Sequence, residues 1–383
     1  MKEKRILFAL GQADDKYIEE AMPGKRKAGK PVLIRWFAVA ACFCVAVGGV
    51  FALIRPGKPL PQITIPRYGD DGTGFEGLMY YSAEELENGN PWREDMALDT
   101  LPVYRNGCFD PSGYGAPLGL SEAEMTEKLE NAARALRLTI VSTKADKSDG
   151  TIHPADTVYS IRAVTSDGNL TAYADGTLVY DLPEGYSPPE GFRFTYGDTS
   201  DAQAKTVIEN LMHEYAAFLN FGRPEIVLQG DYSYDGDYLR RYFVYDAVPD
   251  ATERILNYHF RAAQFVPDEN GNLMSVCLYD RLCKAEKLGK YPLISVAEAK
   301  EKLLSGQYRT TAPEAMPGEE FIAKTELVYR VGWSEEILLP YYRFYVELQD
   351  CDGWQMTWEN GLKTYGAYYV PAIPEKYISG FFD

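Results

Sequence analysis

Residues 36–54 read WFAVAACFCVAVGGVFALI, nineteen residues without a charge, closed by Arg35 and Arg55. An α-helix of that length covers about 28 Å, close to the hydrocarbon thickness of a bilayer. A soluble core helix carries a polar stripe, and none interrupts this run. The sequence therefore predicts one transmembrane helix within residues 32–55, with membrane lipid as the partner of residues 36–54. Lys25, Arg26, Lys27, Lys30 and Arg35 precede the run, whereas Arg55 and Lys58 follow it and then an acidic stretch. The positive-inside bias then places the N-terminus in the cytoplasm and the C-terminal part outside the cell membrane. A cleaved signal peptide fits poorly, because 35 residues precede the run and no small-residue cleavage site ends it. Val39-Ala40-Ala41-Cys42 resembles a lipoprotein box, but the apolar run continues for twelve residues beyond Cys42. Gly48-Gly49 is a small-residue pair without a GxxxG frame.

Charge separates along the same line. Residues 1–35 hold nine Lys/Arg and five Asp/Glu, a balance of +4, and the remaining residues hold 30 against 51, or −21, within a total of −17. A chain this acidic repels phosphate backbones, so nucleic acid is excluded as a partner. An apolar fraction of 46% with 29 Tyr and 17 Phe leaves ample material for cores and argues against disorder.

The tail, residues 1–31, contains KEKRILFALGQADDKYIEEA, in which Ile6, Leu10 and Tyr17 recur at helical spacing before Pro23-Gly24. This short amphipathic helix either rests on the inner membrane surface or docks on a cytoplasmic partner. Residues 56–77 collect four prolines and then four glycines and read as a linker.

Beyond it the expected fold class is α+β: antiparallel β-meanders, each preceded by a helix. A first unit is expected over residues 78–190. Ser121 and Glu124 form a capping box for a helix to about Arg137, and TVYSIRAV, LTAYA and TLVYDL follow as strands, the last pair joined by Asp175-Gly176. A second region spans 191–383. It opens with a helix from Asp201 to about Leu219, followed by strand-like EIVLQGDYSY, YLRRYFVYDAV, ILNYHFRAAQFV and NLMSVCLYD. Ser295 starts a helix VAEAKEKLL, ended by Gly306, and FIAKTELVYRV, PYYRFYVEL and TYGAYYVPA return to strands.

Catalytic signatures are scarce. His213-Glu214 opens like a zinc-protease helix, but Ala217 stands where the second histidine belongs. His153 precedes a proline and His259 stands among strand-like residues. No GxSxG, P-loop or GxGxxG occurs, and no cofactor or metal site is expected. Asp231, Asp235 and Asp237 around Gly236 mimic a calcium loop until position twelve, where Tyr242 replaces the bidentate glutamate. Tyr232 and Tyr234, and later Tyr341 and Tyr342, belong to tyrosine clusters that serve either strand packing or a face for a partner; these four are the candidate ectodomain contacts. Cys108, Cys277, Cys283 and Cys351 follow the membrane run, and four cysteines allow three pairings, among which the sequence does not choose.

The tail ILFALGQADDKYIEEA with WFAVAACFCVAVGG resembles single-pass, anti-sigma-factor-like membrane proteins of Gram-positive gut bacteria. YPLISVAEAKEKLLSGQY, ELVYR, LPYYRFYVEL and YGAYYVPAI are similar to extracytoplasmic regulators of the YycI/YycH type, over about 90 residues. The resemblance implies a non-catalytic protein that modulates a sigma factor or a membrane sensor kinase. The competing expectation is an extracytoplasmic hydrolase of envelope material, working through two carboxylates about 5–10 Å apart.

Overall fold

The computed structural model describes residues 59–65, 78–81, 86, 88–113, 118–183, 191–197, 199–232, 238–332, 334–348 and 362–381. The expected tail with Ile6, Leu10 and Tyr17, the expected membrane helix at 32–55, and Tyr234 lie outside these residues. Among the described residues no helix is long and apolar enough to cross a membrane.

The architecture is α+β with mostly antiparallel sheets. Three strands come first: β1 (Ile63–Thr64), β2 (Leu78–Tyr81) and β3 (Thr100–Arg105). Helix α1 (Glu122–Leu136) then leads into β4 (Ile140–Lys147), β5 (Val158–Thr165), β6 (Asn169–Tyr173) and β7 (Leu178–Asp181). A second stretch runs α2 (Asp201–Glu214), α3 (Ala216–Leu219), β8 (Pro224–Tyr232), β9 (Tyr238–Asp246), α4 (Ala251–Phe260), β10 (Ala262–Pro267) and β11 (Leu273–Leu278). The last comprises β12 (Glu286–Pro292), α5 (Val296–Leu304), β13 (Ile322–Tyr329), β14 (Ile337–Leu338), β15 (Pro340–Glu347), β16 (Lys363–Pro371) and β17 (Ile378–Ser379).

Strands β4 to β11 form one eight-stranded sheet in the order β4-β5-β6-β7-β11-β10-β9-β8. The first half is α1 followed by four antiparallel strands, the second is α2 and α3 followed by four more with α4 inserted between β9 and β10, and the halves meet where β7 pairs with β11 in mirrored order. Residue 190, the expected unit boundary, thus falls between two halves of a continuous sheet. Helices α1, α2 and α3 cover one face, burying Met125, Leu129, Val207, Ile208 and Phe218 against Leu170, Val244 and Phe265. The helix starts follow side-chain chemistry. Ser121 accepts from the Glu124 amide while the Glu124 carboxylate accepts from the Ser121 amide, and Ser200 and Ser295 cap α2 and α5 in the same position. Gly176, at φ +89°, turns β6 into β7 where Asp175 Oδ1 accepts from the Thr177 amide.

Several segments differ from expectation. ILNYHF is helix, not strand: Asp250 Oδ1 accepts from the Glu253 amide at 2.9 Å, and Ile255, Leu256 and Phe260 face the core at helical spacing. His259 therefore sits on α4. Within the expected linker, Ile63 and Ile65 are buried and β1 pairs in parallel with β17.

A second layer holds the four-stranded sheet β13-β15-β16-β2 and the three-stranded sheet β12-β3-β14. The four-stranded sheet is covered on both faces. Leu327, Tyr342, Phe344 and Tyr368 pack with α4 and α5, while Val328, Tyr341, Ala367 and Tyr369 pack with Val103, Tyr291 and Ile63.

Candidate functional site: an arginine-lined cleft

Strand alternation presents every second residue of β8, β9 and β10 on the sheet face opposite α1 and α2. Register brings Gln229 beside Arg241, Val227 beside Phe243, and Ala262 beside Tyr245. This face looks across at β13, β15 and β16, and a cleft of about 470 Å³ lies between them, a volume ordinary for ligand sites.

Four guanidinium groups line it, from Arg241, Arg281, Arg330 and Arg343, against one carboxylate, Glu335. In a chain with 39 cationic against 56 acidic side chains this is an inversion of the prevailing charge. Each arginine is held differently. Arg343 lies directly opposite Glu326 on β13 and Tyr369 on β16; its Nη2 donates to Glu326 Oε2 at 2.6 Å and its Nε to the same oxygen at 3.2 Å. Lys324 Nζ reaches the other Glu326 oxygen at 2.9 Å. Burial alone would raise the Glu326 carboxyl, but Arg343 and then Lys324 reverse this and hold it below the ordinary carboxylate range. Arg330 pairs with Glu335 at 2.7 Å and lies over the Tyr369 ring at 5.3 Å. The Arg281 guanidinium stacks on Tyr279 at 4.8 Å and makes no ion pair with a described residue. Arg241 is exposed at the rim.

His259 adds a different group. Its ring packs edge-on against Tyr258 and Tyr329 at 4.9 and 5.8 Å. Burial, reinforced by the Arg343 charge, pushes its pKa down to about 3, so the imidazole is neutral at physiological pH. Its Nε2 is out of contact with solvent and has no hydrogen-bond partner. The tyrosine hydroxyls are already engaged: Tyr279 donates to Gln264 Oε1 at 3.0 Å, Tyr258 to the Asn88 carbonyl at 3.2 Å, and Tyr245 to Glu225 at 3.2 Å. Their rings are the contact surface. A larger groove of about 820 Å³ beside α1 and α4 mixes Lys128 and Arg261 with Asp246, Asp250, Glu253 and Asp280, and shows no such convergence.

Of the tyrosines proposed from sequence, Tyr341 and Tyr342 are 1% and 4% exposed. They alternate onto the two covered faces of one sheet, so both rings pack inside. Tyr232 is half-buried, 5.1 Å from Tyr238, away from the cleft lining. Tyr245 and Tyr369, members of the same two clusters, do line it. The arginines escaped sequence reasoning because they are spread from position 241 to 343. Their one local signal is Arg343, a charge inside the otherwise apolar PYYRFYV. His213 is exposed on α2 and His153 is buried beside Asp110 at 3.3 Å. Among the described residues no group of His, Cys, Asp and Glu is arranged to hold a metal ion. No protein-family model and no curated protein matches this sequence.

Proposed function

We propose that this chain is a membrane-anchored extracytoplasmic binding and regulatory protein that seats an acidic peptide segment of a membrane signalling partner in the arginine-lined cleft. The observation that carries the reading is the convergence of four guanidiniums on a tyrosine-walled cleft in a chain of charge −17. Guanidinium groups bind carboxylates in forked geometry, and Arg and Tyr dominate the energetics of protein interfaces. The uncharged run at 36–54 and its basic flank support the anchor and the outward placement of this domain. The resemblance to anti-sigma-like and YycI/YycH-type proteins supports a sensor kinase or a sigma factor as the object of regulation. In this reading the protein is not an enzyme: Glu335, the one carboxylate lining the cleft, is tied up by Arg330, and Glu326 by Arg343.

Titration of the detergent-solubilised full chain with a tetraglutamate peptide, against tetralysine, tests this. Saturable binding of the acidic peptide that weakens with salt and falls at least tenfold in Arg281→Glu is expected. Equal binding of both peptides, or none of either, refutes the assignment.

A further inference from the structure

Cys108 and Cys283 are 175 positions apart, yet their sulfur atoms lie 4.0 Å from each other. We propose that this pair is a disulfide site, a covalent tie between the two layers of the domain. Cys108 follows β3 of the three-stranded sheet, and Cys283 lies in the turn between β11 of the eight-stranded sheet and β12. Both turns are pinned by their own hydrogen bonds. The Cys108 amide donates to Asn106 Oδ1, while Asn106 Nδ2 donates to the carbonyls of Gly332 and Glu335. The Cys283 amide donates to the Asp280 carbonyl and the Arg281 amide to that of Phe260. Two glycines make room for the sulfurs: a Cβ on Gly119 would stand 2.6 Å from Cys108 Sγ, and one on Gly176 would stand 2.7 Å from Cys283 Sγ. Closing the pair to a bond length of about 2.05 Å needs a movement of roughly 2 Å shared between two side chains. Cys277, on β11, has no such neighbour among the described residues and serves as the internal control.

The chemistry has a direction. Cys283 is half-buried, and its hydrogen bond from Cys108 lowers its pKa; that same bond and burial raise Cys108. The Cys283 thiolate attacks one sulfur of a small-molecule or protein disulfide, R–S–S–R, forming the mixed disulfide and expelling R–S⁻. Cys108 then loses its proton and attacks the Cys283 sulfur, expelling the second R–S⁻. Two electrons pass from the protein sulfurs to the oxidant, and the two protons leave with two R–SH. The inference stands apart from the cleft reading, since it needs no ligand.

The test equilibrates the full-length chain in detergent with excess oxidised glutathione, blocks remaining thiols with N-ethylmaleimide, and maps peptides without reduction. A linked peptide joining Cys108 to Cys283 is expected in the wild-type chain and in Cys277→Ser. Its loss is expected in Cys108→Ser and in Cys283→Ser. Labelling of both residues as free thiols in the oxidised wild-type chain overturns the proposal, as does a bond from either to Cys277 or Cys351. The wild-type map decides the question even where a serine variant fails to fold.

Discussion

Replacing Glu326 by Gln removes the charge on which one wall of the cleft depends. Glu326 is 1% exposed and answers two cations, Arg343 at 2.6 Å and Lys324 at 2.9 Å, whose side chains are only 15% and 19% exposed. Gln keeps the shape and one acceptor oxygen but leaves both cations uncompensated in a site with little water. Breaking a buried pair from one side costs about 3–5 kcal/mol. Because both cations retain some solvent contact, the lower end applies, about 3 kcal/mol, or roughly a 150-fold loss in the folded-to-unfolded ratio. Urea unfolding followed by far-UV circular dichroism should show the midpoint falling with the slope unchanged. The double variant Glu326→Gln/Arg343→Met should recover more than half of the loss, since the orphaned guanidinium is gone. A single-variant loss below about 1 kcal/mol, or a double variant with additive losses, would refute the view that this carboxylate compensates the cleft wall.

Acid should destabilise the domain through His259. Its folded pKa, about 3, lies below the ordinary 6.5. The unfolded chain therefore takes up the proton first as pH falls, and the contribution is complete above about 6.5 and declines toward 3. The expected loss between pH 6.5 and 4.5 is about 1–2 kcal/mol, absent in His259→Phe; parallel slopes for the two chains in pH-resolved urea melts would contradict this. Gly176→Ala should cost about 2–3 kcal/mol, because it combines a positive φ with a Cβ only 2.4 Å from the Asp280 carbonyl oxygen, whereas Gly113→Ala, at φ +75° with open space, should cost about 1 kcal/mol; equal thermal shifts would remove the steric argument. Protease added to intact protoplasts should destroy a C-terminal epitope and spare an N-terminal one, and protection of the C-terminus would reverse the proposed topology.

Local chemistry was legible where one short segment carries the whole signal. The capping box at Ser121 and Glu124, the Asp175-Gly176 turn and the aromatic-rich strands β13, β15 and β16 all stand where their residues indicate. Helix α4 was misread because Tyr258 and Phe260 favour strands, which outweighed the Asp250-to-Glu253 cap in a segment of ten helical residues. Strand β4 hid for the opposite reason: IVSTKADK is mostly exposed and shows no apolar alternation. The pairing of β3 with β12 joins Thr100 to Pro292, beyond the reach of local pattern. The cleft belongs to that second kind of information. Single arginines in β9, β15 and two loops mean little until the layers bring them together.

The central claim, that this cleft seats an acidic peptide, is tested most directly by locating the peptide. A tetraglutamate peptide bearing a photoactivatable phenylalanine analogue, irradiated on the full-length chain and mapped by mass spectrometry, should attach to residues of β9, β10, the turn at Arg281 and the segment from Val328 to Glu335. Excess unlabelled tetraglutamate or the Arg281→Glu substitution should suppress those crosslinks. Attachment to the groove beside α1 and α4, or crosslinks at the cleft that persist unchanged in Arg281→Glu, would contradict the account.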